Sequence, residues 1–221
     1  MRVFFSWPLG VSDFADDMHR YVRAMERQIA ALVQAQQATA RTATSSDEHD
    51  TQYMLLGKME ETFPRNLRYG ALVTIYATVE QSIRSACQLT GEVLGIPFAE
   101  PKRGGMLEGA AAFLSRTLGV EIIEGRLTWT AIVALRLLRH CVAHAAGHVP
   151  DTNDPDRVRC AMRAFAFDLT EGSDGYLEIP RDALPSILDA ARGWLDEVLS
   201  DGWREFVARG ALDERGTVAI K

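Results

Sequence analysis

Between Glu124 and Asp151 the chain carries no acidic residue, and within that stretch Trp129–His148 reads as one helix, apolar at its start and rich in Arg and His towards its end. At 100° per residue, Arg136, Arg139, His140 and His144 fall within one arc of roughly 140°. Leu135, Leu137, Leu138, Cys141, Val142 and Ala145 fill the rest of those turns. A helix apolar over so much of its circumference has to be enclosed by several neighbours. The chain must therefore build a multi-helix arrangement around it, with the basic stripe facing either an internal partner or a cleft.

The rest of the chain supplies those neighbours. Ser12 is a candidate N-cap, with Asp13, Asp16 and Asp17 suited to the positive end of a helix. The helix it opens is expected to run to about Ala40, with Phe14, Met18, Tyr21, Val22, Met25, Ile29, Leu32 and Val33 on its buried face. Thr42–Thr51 is polar and reads as a linker, followed by a short helix over Gln52–Thr62. Pro64 then starts a long helix, Arg65–Thr90, burying Leu72, Ile75, Val79, Ile83, Ala86 and Leu89. After a Gly/Pro-rich loop come a helix over Met106–Leu118 and the Arg/His helix, Leu127–Ala146, which Gly147 and Pro150 end. Asp154 and Pro155 open another helix to about Phe165. Phe167–Thr170 and Tyr176–Ile179 flank Ser173-Asp174-Gly175 as a small β-hairpin. A last helix covers Asp182–Leu199, with one more turn around Trp203–Val207. The expected fold class is all-α, a helical bundle with a small β-hairpin before the C-terminal helix. The expected division is 1–62 as N-terminal helices packing on the bundle, 63–201 as the main helical domain and 202–221 as a tail.

A length of 221 residues is ample for a hydrophobic core. The net charge of -6 argues against broad coating of nucleic acid or membrane, but leaves room for a local basic site. Only Lys58, Lys102 and Lys221 are lysines; the other cations are arginines, which suit fixed pairing with carboxylate or phosphate. Cys87, Cys141 and Cys160 form no CxxC pair and are expected as buried, reduced core thiols of a cytoplasmic protein. The apolar patch Val3–Val11 is interrupted by Pro8, and no stretch approaches the ~18 apolar residues of a membrane span. Met18, Met25, Met54 and Met59 lie at apolar helical positions and are read as core. Asp47, Glu48, His49 and Asp50 are consecutive, which suits a solvated loop rather than a shared ion. Lys102-Arg103-Gly104-Gly105 lacks the spacing of a phosphate-binding P-loop and reads as a connection.

The stripe itself admits several readings. Cations near a helix C-terminus interact well with its dipole, and a carboxylate elsewhere can neutralise the arginines. A purely structural histidine set is a second reading. The third is an anion site in which Arg139 is a fixed cation and His144 exchanges protons near neutral pH. Zinc is disfavoured: His140, His144 and His148 are spaced i, i+4, i+8, but Gly147 ends the helix before His148 and the arginines repel a dication.

Leu135-Arg136-Leu137-Leu138-Arg139-His140-Cys141-Val142-Ala143-His144-Ala145-Ala146-Gly147 resembles the signature of HEPN domains (higher eukaryote and prokaryote nucleotide-binding), an Arg, a polar residue and, after a short spacer, a His. Arg139 and His144 match the two fixed positions; the polar position, most often Asn in the family, is His140. Thr78-Val79-Glu80-Gln81-Ser82-Ile83-Arg84 is similar to the acidic helix that packs against the motif in relatives, and the resemblance covers about Phe63 to Leu199. It implies an all-α homodimer in which two motif copies share one cleft. It further implies a metal-independent endoribonuclease without cofactor, acting on RNA in toxin–antitoxin or phage-defence systems, with a nucleotidyltransferase as a possible cognate antitoxin. The alternative is a non-catalytic HEPN-like dimer that binds nucleotide, RNA or a protein partner. On the nuclease reading His144 is acid or base and Arg139 grips the phosphate, while Glu80 orients one of them or simply pairs with Arg84. His140 and Arg136 would contact RNA.

Overall fold

The computed structural model describes residues 7–42, 44–101, 105–119, 127–164 and 169–208. Seven α-helices and one two-stranded hairpin make up the regular structure of these residues, apart from short π and 3-10 turns. In chain order they are α1 (Trp7–Arg41), α2 (Ser46–Gly57), α3 (Phe63–Leu94), α4 (Met106–Leu118), α5 (Leu127–Ala145), α6 (Pro155–Arg163), β1 (Thr170–Glu171), β2 (Leu177–Glu178) and α7 (Ala183–Ala208). The fold is therefore all-α with a small hairpin before the C-terminal helix. The strands pair antiparallel, Thr170 opposite Glu178 and Glu171 opposite Leu177. Among the described residues no helix is long and apolar enough to cross a membrane. The Lys102-Arg103-Gly104 part of the Gly-rich loop and Phe167 of the expected hairpin lie outside the described residues.

Several boundaries differ from expectation for identifiable reasons. Helix α1 begins at Trp7, so Ser12 is an interior residue and not a cap. Pro8 falls in the first turn, where a missing N–H costs no helical bond. The expected linker is mostly helix, because Ser45 caps α2: its Oγ accepts the Glu48 N–H at 3.2 Å. Glu48 reaches back to accept the Thr44 N–H at 3.1 Å, close to the reciprocal capping pattern of Ser-x-x-Glu. Those hydrogen bonds from Thr44 hold the Glu48 carboxyl below its ordinary range. Helix does not restart at Pro64 either. A π turn, Lys58–Thr62, joins α2 to α3 without a break. The ring of Pro64 would clash with the carbonyl four residues back, that of Glu60, and the wider turn lies where that clash has to be relieved. At the other end, α7 continues past Leu199 because Phe206 is fully buried and extends the apolar stripe.

The chain forms two compact units, and α1, α3, α5 and α7 each contribute a part to both. One comprises the described residues of Met1–Asp16, Ile75–Val133 and Leu188–Lys221. Its core takes Ile75, Val79, Ile83 and Cys87 from α3, Leu107, Ala110, Leu114 and Leu118 from α4, and Leu188, Ala191, Leu195 and Phe206 from α7. These recur every three or four residues, as a buried helix face requires. Phe98 stands edge-on to Phe113, ring centroids 5.0 Å apart, and Trp129 lies 6.2 Å from Trp194.

The other unit comprises Asp17–Thr74 and the described residues of Ala134–Ile187. Met18, Val22, Met25 and Ile29 of α1, Tyr69 and Leu72 of α3, and Ala134, Leu135, Leu138 and Cys141 of α5 are buried there. Val158 and Met162 of α6, Leu177 and Ile179 of the hairpin, and Leu184 and Ile187 at the start of α7 complete the core. Glu26, only 6% exposed, is the one buried acid among the described residues of this unit; Arg68 holds it through two bonds of 2.7 and 3.0 Å and donates to the Ile179 carbonyl at 3.2 Å. Tyr21 and Leu32, expected on the buried face, are each 53% exposed, because they stand at the edge of the α1 stripe. Met54 is exposed rather than core: α2 buries no residue at all.

Cysteine usage also needs correction. Cys87 and Cys141 are buried, but Cys160 is exposed on α6, whose buried residues are Val158, Ala161 and Met162. Burial pushes the Cys87 thiol up to about 12 and the Cys141 thiol up to about 11, so neither forms thiolate at neutral pH. An aromatic disulfide reagent is accordingly expected to titrate one thiol in the native protein, lost in Cys160→Ser, and three after denaturation. Fast reaction of two or three thiols in the native state would contradict the burial.

Candidate functional site

The basic stripe lies on the last turns of α5, within the second unit. Leu135, Leu138 and Cys141, each 0% exposed, anchor one side of the helix in the core. This leaves Arg136 and Arg139 half-buried and His140 and His144 exposed. The i, i+4 spacing stacks the two imidazoles obliquely, ring centroids 4.3 Å apart. Desolvation, followed by the charges of His144, Arg139 and Arg136, lowers the pKa of His140 below that of a free imidazole. His140 is thus a neutral ring at neutral pH, open as a hydrogen-bond acceptor beside two guanidinium groups. Arg139, Arg136, His140 and His144 converge as the helical wheel requires.

The end of α5 is fixed by backbone chemistry. After Ala145 the chain turns through Ala146 (φ 50°) and Gly147 (φ 85°), both left-handed. The Gly147 N–H reaches the Cys141 carbonyl at 3.1 Å, and its carbonyl accepts the Leu177 N–H at 2.8 Å. The Val149 N–H bonds the Gly175 carbonyl at 2.9 Å, so the segment after the helix lies along the hairpin. Tyr69 closes the join: its hydroxyl donates to the Leu177 carbonyl at 2.6 Å. Burial raises the phenol far above its ordinary value and keeps it protonated as that donor. A Cβ at residue 147 would overlap the Tyr69 ring. Gly147→Ala therefore meets both an unfavourable φ and a steric conflict, and is expected to cost about 2–3 kcal/mol. Urea unfolding checks this; a loss under 0.5 kcal/mol, about the size of an ordinary surface change, would mean that the join yields easily.

His148 is not part of the stripe. Its Nδ1 lies 2.8 Å from the Asp151 carboxylate and its ring 5.1 Å from that of Tyr176. The i, i+4, i+8 histidine set is thus not assembled, and no group of three or more His, Cys, Asp or Glu positioned for a metal occurs among the described residues. Glu80 is half-buried on α3 in the other unit. Arg84, its i+4 neighbour, lies 3.0 Å from Glu100 and donates to Gln81 at 3.1 Å. Arg126, a further cation of the acid-free stretch between Glu124 and Asp151, lies outside the described residues.

Sequence reasoning missed a second arginine cluster. Arg20, Arg23 and Arg27 project from α1 into a cleft of about 500 Å³, which Arg181 lines together with Glu26 and Asp182. The signal was present in the i, i+3, i+7 spacing and in the near-exclusive use of Arg as cation. No family model, curated protein or solved structure matches the chain.

Proposed function

We propose that the chain is a metal-independent endoribonuclease of the HEPN type, with Arg139 and His144 as its catalytic pair and His140 and Arg136 in support. The observation that carries the reading is the grouping on α5. Two exposed imidazoles, one of them held neutral at 4.3 Å from the other, share one face of the helix with two half-buried arginines. Groups of these types suit RNA cleavage. The 2′-hydroxyl loses its proton and attacks phosphorus, the bond to the 5′ oxygen breaks, and that oxygen takes up a proton. Charge that builds on the phosphoryl oxygens is met by a forked guanidinium.

On this reading His144 is the one proton carrier assigned in each chain, with His140 in support, and the reaction moves two protons. A homodimer that joins two stripes in one cleft would provide the second proton carrier. The acidic net charge of -6 confines RNA to such local basic surface. A role in phage defence or as the toxin of a toxin–antitoxin pair is the biological setting this chemistry fits. The test is RNA cleavage in excess EDTA by the wild type and by His144→Ala. Activity that requires added divalent metal overturns the mechanism. RNA binding without cleavage in the wild type favours the non-catalytic module.

A further inference from the structure

The cleft between α1 and the segment leading into α7 has no part in the cleavage chemistry above. It belongs wholly to the second unit. Arg20, Arg23 and Arg27 lie on one face of α1, spread over about 10 Å at 1.5 Å per residue. Arg181 closes the opposite side, with Val22 and Pro185 as the apolar lining. At about 500 Å³ the cleft is the size of a ligand site, and Arg68 and Arg181 also line the adjoining cleft along α1.

Charge accounting leaves this surface positive. Arg68 neutralises Glu26 with bonds of 2.7 and 3.0 Å, so the acid on the cleft floor is already engaged. Arg181 sits 3.9 Å from the same carboxylate, at the limit of pairing, with its side chain 59% exposed. Asp17 occupies Arg20 at 3.3 Å, and Asp182 is the other acid on the cleft wall. Arg23 and Arg27 have no carboxylate partner among the described residues, and Arg27 bends back to donate to the Arg23 carbonyl at 3.3 Å.

We propose that this cleft binds a row of phosphates, and that the row is the backbone of an RNA strand. Guanidinium groups strung along a helix suit successive phosphates better than a single anion, which calls for donors that converge on one point. The chemistry of the row follows from the arginines; its identity as RNA rests on the ribonuclease reading.

The test uses wild-type protein, a labelled 2′-O-methyl RNA 12-mer that cannot be cleaved, and inorganic tripolyphosphate as a strand-free probe. Affinity is measured by anisotropy for the RNA and by calorimetry for tripolyphosphate, over a salt series. The Arg23→Ala/Arg27→Ala/Arg181→Ala variant is expected to bind the RNA at least about tenfold more weakly. Its log–log salt slope should fall by about 2, at roughly 0.7 per lost phosphate contact on a single strand. The Arg23→Ala/Arg27→Ala variant leaves the Glu26 pairings in place and serves where the triple variant unfolds; its slope should fall by about 1.4. Tripolyphosphate bound by wild type and lost in the variants, with no RNA bound by either, keeps the phosphate site and refutes both the RNA backbone and the ribonuclease reading. Unchanged RNA affinity and slope in the variants overturn the cleft while cleavage by wild type stands. Failure of both probes to bind wild type overturns it outright.

Discussion

His144→Ala is expected to reduce metal-free RNA cleavage by about a thousandfold, within the range that one positioned acid or base contributes. The substitution lies on the exposed face of α5 and places a strong helix former there, so unfolding temperature and helical content should hold. Loss of activity in a stable protein would then report chemistry. Arg139→Lys is the sharper companion. It keeps the charge but removes the fork that grips two phosphoryl oxygens at once, so it should lower kcat while leaving RNA affinity nearly intact. Cleavage by His144→Ala at more than about a tenth of the wild-type rate, measured in EDTA with several preparations to exclude a contaminant, would remove His144 from the mechanism. A mixture of His144→Ala and Arg139→Ala chains adds a test of the shared cleft: recovery of activity on mixing requires that two chains complete one site.

The legible parts of this molecule were those governed by a single helix. The stripe on α5 follows from residue spacing, and the structure gathers Arg136, Arg139, His140 and His144 as the wheel requires. The Asp154 cap of α6 was equally readable, because its carboxylate acts on the Arg157 N–H three residues on. Ser45 and Glu48 carried the same kind of local signal, but a run of polar residues conceals a helix that buries nothing. Contacts between distant segments were not legible. Nothing in the spacing links Glu26 to Arg68, or Gly147 to Tyr69, since each pairing depends on how helices pack. The cleft arginines show the same limit: Arg20, Arg23 and Arg27 are a visible face, but Arg181 joins them only through tertiary structure.

Arg68→Met is expected to destabilise the protein by about 3–5 kcal/mol, the cost of leaving a buried charge without its partner. The Glu26 side chain is 8% exposed and that of Arg68 18%, so solvent screens the pair little. Arg68 makes two bonds to Glu26 on α1 and one to the Ile179 carbonyl beyond the hairpin, so its loss leaves a carboxylate and a carbonyl short of donors. Arg181, 3.9 Å from the carboxylate, can swing in and recover part of the loss, which would also withdraw a cation from the phosphate cleft. The Glu26→Leu/Arg68→Met double variant removes both charges and should regain most of the stability, because an apolar pair of similar volume escapes the desolvation cost that the ions bear. Urea denaturation of wild type, both single variants and the double completes the cycle. A cost below about 1 kcal/mol for Arg68→Met would place the pair with exposed surface bridges. A double variant less stable than either single one would mean that the ions are worth more than the hydrocarbon contacts replacing them. In either case the pair would not be the buried, desolvated lock on α1, α3 and the hairpin that its geometry describes.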